Sequence, residues 1–134
     1  MGFENWKRWQ NSISKNTLKM AETYNIPTII KGDTFRALQF TVTLNSVALD
    51  LTGYTIECKF RKNAKTGKLI KSIDTTSGIT LTTPASGVFT IDAFDLGADF
   101  VAGTYYYDIE FTDTSGIITT YIKGFLKIEQ DVTY

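Results

Sequence analysis

Two groups of acidic residues are the first candidates for chemistry in this sequence. Asp92, Asp95 and Asp99 lie close together in a stretch without strand-like alternation, and clustered carboxylate oxygens are the donors that calcium prefers. Asp108 and Glu110 share one parity of a strand-like run, where two carboxylates can flank a glycosidic bond. Aspartates in loops also cap turns, and acids on a strand also face solvent. Structural roles for both groups therefore stay open.

Other catalytic chemistries lack the residues that they need. The chain of 134 residues has no histidine and one cysteine, Cys58. This composition excludes Ser–His and Cys–His nucleophile pairs and a cysteine–histidine zinc site. Cys58 lies on the apolar parity of its strand, where a thiol acts as a small core residue. Gly67 and Lys68 lack the strand-to-helix context of a phosphate-binding loop. We therefore predict a protein that is not an enzyme and has no cofactor.

Exposed aromatic rings provide another candidate site. Tyr106 and Tyr121 fall on the outward or amphipathic parity of their strands, and rings on a sheet surface can stack on sugars. The same rings can instead cover a sheet edge or an interface. A carbohydrate-binding module is therefore an alternative function for this chain.

β-Strands must position all of these candidates. In Gly103–Phe111, aromatic and aliphatic residues alternate with more polar ones, which predicts a strand with one buried face. Its inward residues are Tyr105, Tyr107, Ile109 and Phe111. The run from Tyr54 to Phe60 alternates in the same way. A long strand is predicted from Ile117 to about Glu129, with Ile118, Ile122, Leu126 and Ile128 inward and a bulge at Gly124.

These runs belong to a longer series of short strands. From Pro27 onward, seven to nine strands follow one another at spacings of 8–12 residues, which predicts an all-β, immunoglobulin-like antiparallel sandwich. In such sandwiches a tyrosine shortly after a glycine bonds back across the preceding corner. Gly103, Tyr105 and Tyr107 have that spacing, and Gly53 similarly precedes the strand that starts at Tyr54.

The first 25 residues differ from the rest and are predicted to form a separate docking segment before a sandwich domain of residues 26–134. Apolar residues recur there every three or four positions, which indicates an amphipathic helix or, alternatively, an extended arm. The stripe comprises Phe3, Trp6, Trp9, Ile13, Thr17 and Met20. The segment either packs on its own domain or docks into a neighbouring subunit, where Phe3, Trp6, Trp9 and Ile13 would be the anchors.

Charge is zero in sum but is unevenly placed along the chain. Six basic residues and no acid lie between Lys59 and Lys71, whereas seven acids and no base lie between Asp74 and Asp113. The zero net charge argues against a general nucleic-acid or membrane-surface binder. The basic hairpin carries Lys62, Lys65 and Lys68, and the acidic strand face carries Asp108 and Glu110. These groups either pair within the fold or join one copy to the next.

Several short motifs then occur in a recognisable order. They are Ile30–Phe35, Leu49–Tyr54, Ala102–Glu110, the residues Gly116, Thr120 and Gly124, and the closing run Ile128–Thr133. Together they resemble a family of small β-sandwich structural proteins of tailed bacteriophages, which includes the N-terminal domain of phage baseplate upper proteins. The resemblance covers about Ile26 to Thr133.

The resemblance implies a non-enzymatic virion component that is assembled in the host cytoplasm. It would be an adaptor that joins tail, baseplate or fibre components through its N-terminal segment and sandwich faces. Its partners would be other virion proteins and further copies of itself, without nucleic acid or membrane. The alternatives are a capsid decoration or head-fibre protein, and a module that recognises a host-surface glycan.

Overall fold

The computed structural model describes residues 8–15, as backbone, and residues 22–130. Over these ranges the chain forms β-strands and one short 3-10 turn, Pro84–Ser86, and no α-helix. The strands are β1 (Arg8–Lys15), β2 (Glu22–Thr23), β3 (Ile26–Ile30), β4 (Thr34–Phe35), β5 (Ala37–Leu44), β6 (Val47–Ala48), β7 (Thr55–Lys62), β8 (Leu69–Asp74), β9 (Ile79–Thr83), β10 (Val88–Ile91), β11 (Phe94–Asp95), β12 (Gly103–Thr112) and β13 (Ile118–Glu129). The prediction of an all-β chain is confirmed.

The strands form two main sheets in a sandwich-like arrangement. The first sheet has the order β1-β5-β10-β9, with β6 also paired to β5. The second sheet has the order β2-β13-β12-β7-β8, with β3 also paired to β13. A separate two-stranded ribbon joins β4 to β11. This layered arrangement buries the apolar face of each sheet against the other.

Parallel pairing occurs at the N-terminal end of the described chain. There β1 pairs in parallel with β5, and β2 and β3 pair in parallel with β13. The chain lies in the first sheet at β1, visits the second sheet at β2 and β3, and returns to the first at β5. Two strands that enter one sheet after such a crossover can lie side by side in the same direction. The sandwich is therefore antiparallel except at these pairings.

The helical interpretation of the N-terminal segment is wrong where the structure describes it. Arg8–Lys15 is strand β1, which pairs with β5 over its full length. Trp9 and Ile13 are four residues apart, and this even spacing fits one face of a strand as well as one face of a helix. Of the residues between them, Asn11 and Ser12 have low helix propensity, so pairing with β5 decides the conformation. Phe3, Trp6, Thr17 and Met20 lie outside the described residues.

Strand β12 supplies the centre of the hydrophobic core. Its burial alternates as the sequence predicts, with Tyr105, Tyr107, Ile109 and Phe111 buried. Aromatic rings connect the two sheets across the core, because Phe89 of β10 stacks on Phe40 of β5 at 5.3 Å and meets the edge of Phe111 at 5.4 Å between centroids. Such ring pairs stabilise a core beyond their buried area.

A corner closes the chain just before β12. The Tyr105 hydroxyl donates a hydrogen bond to the carbonyl oxygen of Val101 at 2.6 Å, which is the back-bond that the sequence predicts. The Phe100 ring packs on the Tyr105 ring, with 5.0 Å between centroids. Burial raises the pKa of Tyr105, and the nearby charge of Asp99 adds to the shift. Gly103 begins β12 with a φ of 149°, a region that favours glycine.

The bulge in β13 lies at Tyr121 instead of Gly124. Ile122 pairs with Ile109 while Thr120 pairs with Glu110, which leaves Tyr121 as the extra residue, whereas Gly124 pairs regularly with Tyr107. A bulge changes which face the preceding residues occupy. For that reason Ile118, predicted to point inward, is 62% exposed.

Candidate functional site

Asp92, Asp95 and Asp99 are not assembled into a metal site, and Asp95 lies in strand β11 instead of the predicted loop. The carboxylate of Asp92 accepts hydrogen bonds of 2.8 and 3.0 Å from the Thr80 hydroxyl, and that of Asp95 accepts one of 3.0 Å from the Thr34 hydroxyl. Asp99 is exposed. Among residues 8–15 and 22–130, no three histidine, cysteine or acidic side chains are grouped closely enough to hold an ion. The calcium hypothesis for these aspartates is therefore not supported.

The acidic face of β12 lies between basic strands of the same chain. Asp108 is opposite Lys59 on β7 and opposite Lys123 on β13, whereas Glu110 is opposite Glu57 and Thr120. Asp108 thus has a lysine in register on each side, and its side chain is exposed on the outer face of the sheet. In a glycosidase, by contrast, two carboxylates face each other across the substrate. Asp108 is here the polar centre of a larger surface.

An aromatic row lies beside this ionic row on the outer face of the second sheet. The row consists of three residues in register on adjacent strands: Arg61 of β7, Tyr106 of β12 and Phe125 of β13. Tyr106 is half-buried, and Phe125 is 40% exposed. The two rows form the floor of an open groove of about 350 Å³, which we call the outer-face groove. Its lining residues include Thr23, Asn25, Lys59, Arg61, Lys65, Tyr106, Asp108, Lys123 and Phe125.

One wall of the outer-face groove is built by the turn between β2 and β3. The backbone of Tyr24 crosses so close to Gly124 that a Cβ atom there would lie 1.9 Å from the Tyr24 carbonyl oxygen. Tyr24 donates its backbone N–H to Lys123 O at 2.8 Å, and the Tyr107 hydroxyl donates to Tyr24 O. Asn25 Oδ1 accepts the N–H of Phe125 at 3.2 Å. These bonds hold the wall rigidly against β13.

The outer-face groove has an excess of positive charge. It is lined by the cations Lys59, Arg61, Lys65 and Lys123 and by one carboxylate, Asp108. Lys59 is 3.6 Å from Glu57, and an Nη of Arg61 donates to Gly67 O at 3.2 Å. Within the described ranges Lys65 and Lys123 form no ion pair. Two cations of the groove are therefore available to an anionic ligand.

The basic hairpin between β7 and β8 overhangs one end of this groove. Lys62 N–H donates to Lys68 O at 3.0 Å across the hairpin, and Asn63 N–H donates to Thr104 O at 2.8 Å. The hairpin is thus attached to the start of β12, close to Gly103. Of its three lysines, Lys65 lines the groove.

Tyr121 is not part of the same surface as Tyr106. The bulge places its ring against the core residue Phe111, at 5.0 Å between centroids and nearly perpendicular. Phe125 is the ring that accompanies Tyr106, and sequence analysis missed it. The signal for it lies in the pairing of β12 with β13, because Phe125 is directly opposite Tyr106 and the two side chains therefore share a face of the sheet.

Cys58 is an inert core residue. Its side chain is fully buried, and burial raises the pKa of the thiol well above its ordinary value, with the charges of Asp108 and Glu57 adding to the shift. A thiol that is buried and protonated has little nucleophilic or metal-binding capacity. No helix in the described parts of the chain is long and apolar enough to cross a membrane.

The chain is an all-β, sandwich-like module with an open groove on the outer face of one sheet. No protein family model matches the chain, and no curated protein does. Among solved structures, the chain is similar to the N-terminal domain of phage TP901-1 ORF48, with 13% identity, a TM-score of 0.50, and coverage of 90% of this chain and 98% of that chain. It is also similar to CopC from Methylosinus trichosporium OB3b, with 14% identity, a TM-score of 0.45, and coverage of 80% and 88%.

Proposed function

We propose that this chain is a non-enzymatic structural protein of a tailed bacteriophage particle. Its role would be that of an adaptor between tail, baseplate or fibre components. The observation that carries the proposal is the likeness to the N-terminal domain of phage TP901-1 ORF48, which spans 90% of this chain and nearly all of that domain. The order of sequence motifs from Ile30 to Thr133 supports the same class of protein.

The geometry of the sandwich suits an assembly role. Strand β8 forms the edge of the second sheet and β9 the edge of the first, among the strands that the structure describes. Leu69 on β8 is 42% exposed. An edge strand offers unpaired backbone groups to which a neighbouring subunit can add a strand. Lys68 directly precedes β8, and a lysine at a sheet edge limits unspecific pairing.

The experiment is to follow the chain into phage particles. A phage or prophage that encodes it is given an in-frame deletion of its gene, and the full chain is supplied from a plasmid. We expect the full chain to co-purify with density-purified particles in a fixed ratio to the major structural proteins. A chain that stays entirely in the free protein fraction would overturn the proposal.

A matched truncation tests which part of the chain attaches it to the particle. We expect a variant without residues 1–7, which lacks Phe3 and Trp6 but keeps all of β1, to be absent from particles. Its fold is checked by a cooperative thermal transition and the circular dichroism of a β-protein. The control is Lys127→Gln, a substitution of an exposed residue of β13, which is expected to assemble normally. Electron microscopy of labelled particles distinguishes a tail location from the capsid decoration and head-fibre alternatives.

A further inference from the structure

We propose that the outer-face groove binds an acidic saccharide, a sugar ring that carries a carboxylate or phosphate group. The proposal goes beyond the assembly role, because it assigns a ligand of stated chemistry to one surface of the sandwich. It rests on three properties of the groove: a central floor whose strands have neighbours on both sides, two aromatic rings in one row, and an excess of cations.

The floor of the groove favours a ligand that is recognised by side chains alone. Around Arg61, Tyr106 and Phe125, strands β7, β12 and β13 have neighbours on both sides, so this part of the floor has no open edge. A peptide strand binds a sheet by adding to an edge through its backbone groups. A peptide strand would therefore find no backbone partner in this groove, whereas a sugar does not need one.

The aromatic row provides an apolar platform for a sugar ring. Tyr106 and Phe125 are directly paired neighbours on β12 and β13, and Phe125 is 40% exposed. A pyranose has an apolar face of C–H groups that can cover such a ring, while its hydroxyls point sideways to polar groups. Asp108 is two residues from Tyr106 on the same face of β12, and its carboxylate can accept hydrogen bonds from those hydroxyls.

The cations supply the preference for an acidic sugar. Lys65 and Lys123 form no ion pair with other described residues, and Lys123 lies in register beside Asp108. A carboxylate or phosphate on the sugar would gain charge-assisted hydrogen bonds with them. The volume of about 350 Å³ lies near the lower end of the ~300–1,000 Å³ range of small-ligand sites. The groove therefore suits a short saccharide.

The test is a titration of the ¹⁵N-labelled full chain, followed by amide chemical shifts. The probes are trigalacturonic acid for the carboxylate and mannose 6-phosphate for the phosphate, with maltotriose as the neutral sugar. We expect at least one acidic probe to shift the amides of β12 and β13 around Tyr106 and Phe125, and to bind more tightly than maltotriose. If neither acidic probe shifts these amides at about 10 mM, where a ligand of Kd ~1 mM nearly saturates its site, the proposal is overturned.

Variants connect the binding to the groove. Lys123→Gln and Phe125→Ala should each lower the affinity for the acidic probe by about threefold to tenfold, which is the effect of losing one ordinary polar or apolar contact. Lys127→Gln removes a charge from the same strand but outside the groove lining, and it should change the affinity less than twofold. Equal weakening by Lys123→Gln and Lys127→Gln, with Phe125→Ala unchanged, would contradict the proposal, because it would indicate general charge attraction.

Two further probes test the competing occupants. Hexaglutamate represents an acidic peptide, and a short oligothymidine represents single-stranded nucleic acid, which also uses cations and aromatic rings. Tighter binding of either one than of the acidic sugars at the same amides would overturn the saccharide proposal. Particle incorporation of Lys123→Gln and Phe125→Ala is measured separately, so that failure of the groove and failure of the assembly role are distinguished.

Discussion

Tyr105 shows how one hydroxyl can secure a turn between two segments of a sandwich. Its ring is fully buried on β12, and its hydroxyl reaches back to Val101 O at 2.6 Å. The bond gives a partner to a carbonyl group of the corner that lies outside the strands, and one such hydrogen bond adds about 1 kcal/mol of stability. The spacing of Gly103 and Tyr105 made this contact predictable, because it depends only on local chain geometry.

Tyr105→Phe should lower the free energy of unfolding by about 1 kcal/mol, since it removes one hydrogen bond while keeping the ring. Urea denaturation measures the change, with an unaltered m-value. Tyr106→Phe is the matched control, because it removes a hydroxyl from the neighbouring residue on the outer face and should change stability by less than about 0.5 kcal/mol. An equal loss in both variants would show that the bond to Val101 contributes nothing specific.

At the scale of strands, alternation predicted the core strands well and the irregular positions poorly. Strands β7 and β12 alternate without interruption, and their buried residues are those expected. The helix prediction for Arg8–Lys15 failed because a spacing of four residues fits both periods. The bulge at Tyr121 was misplaced because glycine suggested it at Gly124, where the actual reason for glycine is the approach of Tyr24. That approach joins distant segments, and no local pattern reports it.

Gly124→Ala should therefore destabilise the element that forms the groove wall. The added Cβ would lie 1.9 Å from Tyr24 O, so the backbone of Tyr24 and Asn25 must move away from β13. The expected loss is about 1–3 kcal/mol, the usual effect of overpacking a tight contact. Urea denaturation measures the loss of stability, and the amide chemical shifts of Tyr24, Asn25 and Lys123 show where the structure has changed.

Gly97→Ala is the control for this substitution. A Cβ at Gly97 would have no atom within 4 Å. The free energy of unfolding of Gly97→Ala should therefore stay within about 0.5 kcal/mol of that of the parent. If Gly124→Ala is equally neutral, the chain between β2 and β3 does not press on β13 in solution, and the wall of the outer-face groove is not fixed.

At the scale of the whole molecule, the outer-face groove was less predictable than the fold. Arg61, Tyr106 and Phe125 come from three strands, and only their register brings them into one row. The sequence did indicate Tyr106 as an outward ring and Asp108 as part of an outward acidic face. It could not indicate which residues of β13 would lie beside them, because the bulge shifts that register by one position.

One core shared by both sheets also predicts how the molecule responds to alkali. Burial raises the pKa of Cys58 well above its ordinary 9.0, and burial likewise raises the pKa of Tyr107 far above its ordinary 10.0. In the unfolded chain these groups lose their protons near their ordinary values, whereas the folded chain keeps them. The unfolded state then binds fewer protons than the folded state, so stability must fall as pH rises.

We expect urea midpoints to be lower at pH 10 than at pH 8, with each buried group contributing at most about 1.4 kcal/mol per pH unit above its ordinary pKa. Cys58→Ala isolates one contribution. It should be less stable than the parent at pH 8, because a buried side chain is shortened, but its stability should fall less steeply between pH 9 and 10. Parallel pH profiles for the two proteins would show that Cys58 reaches solvent in the folded state, contrary to a single closed core.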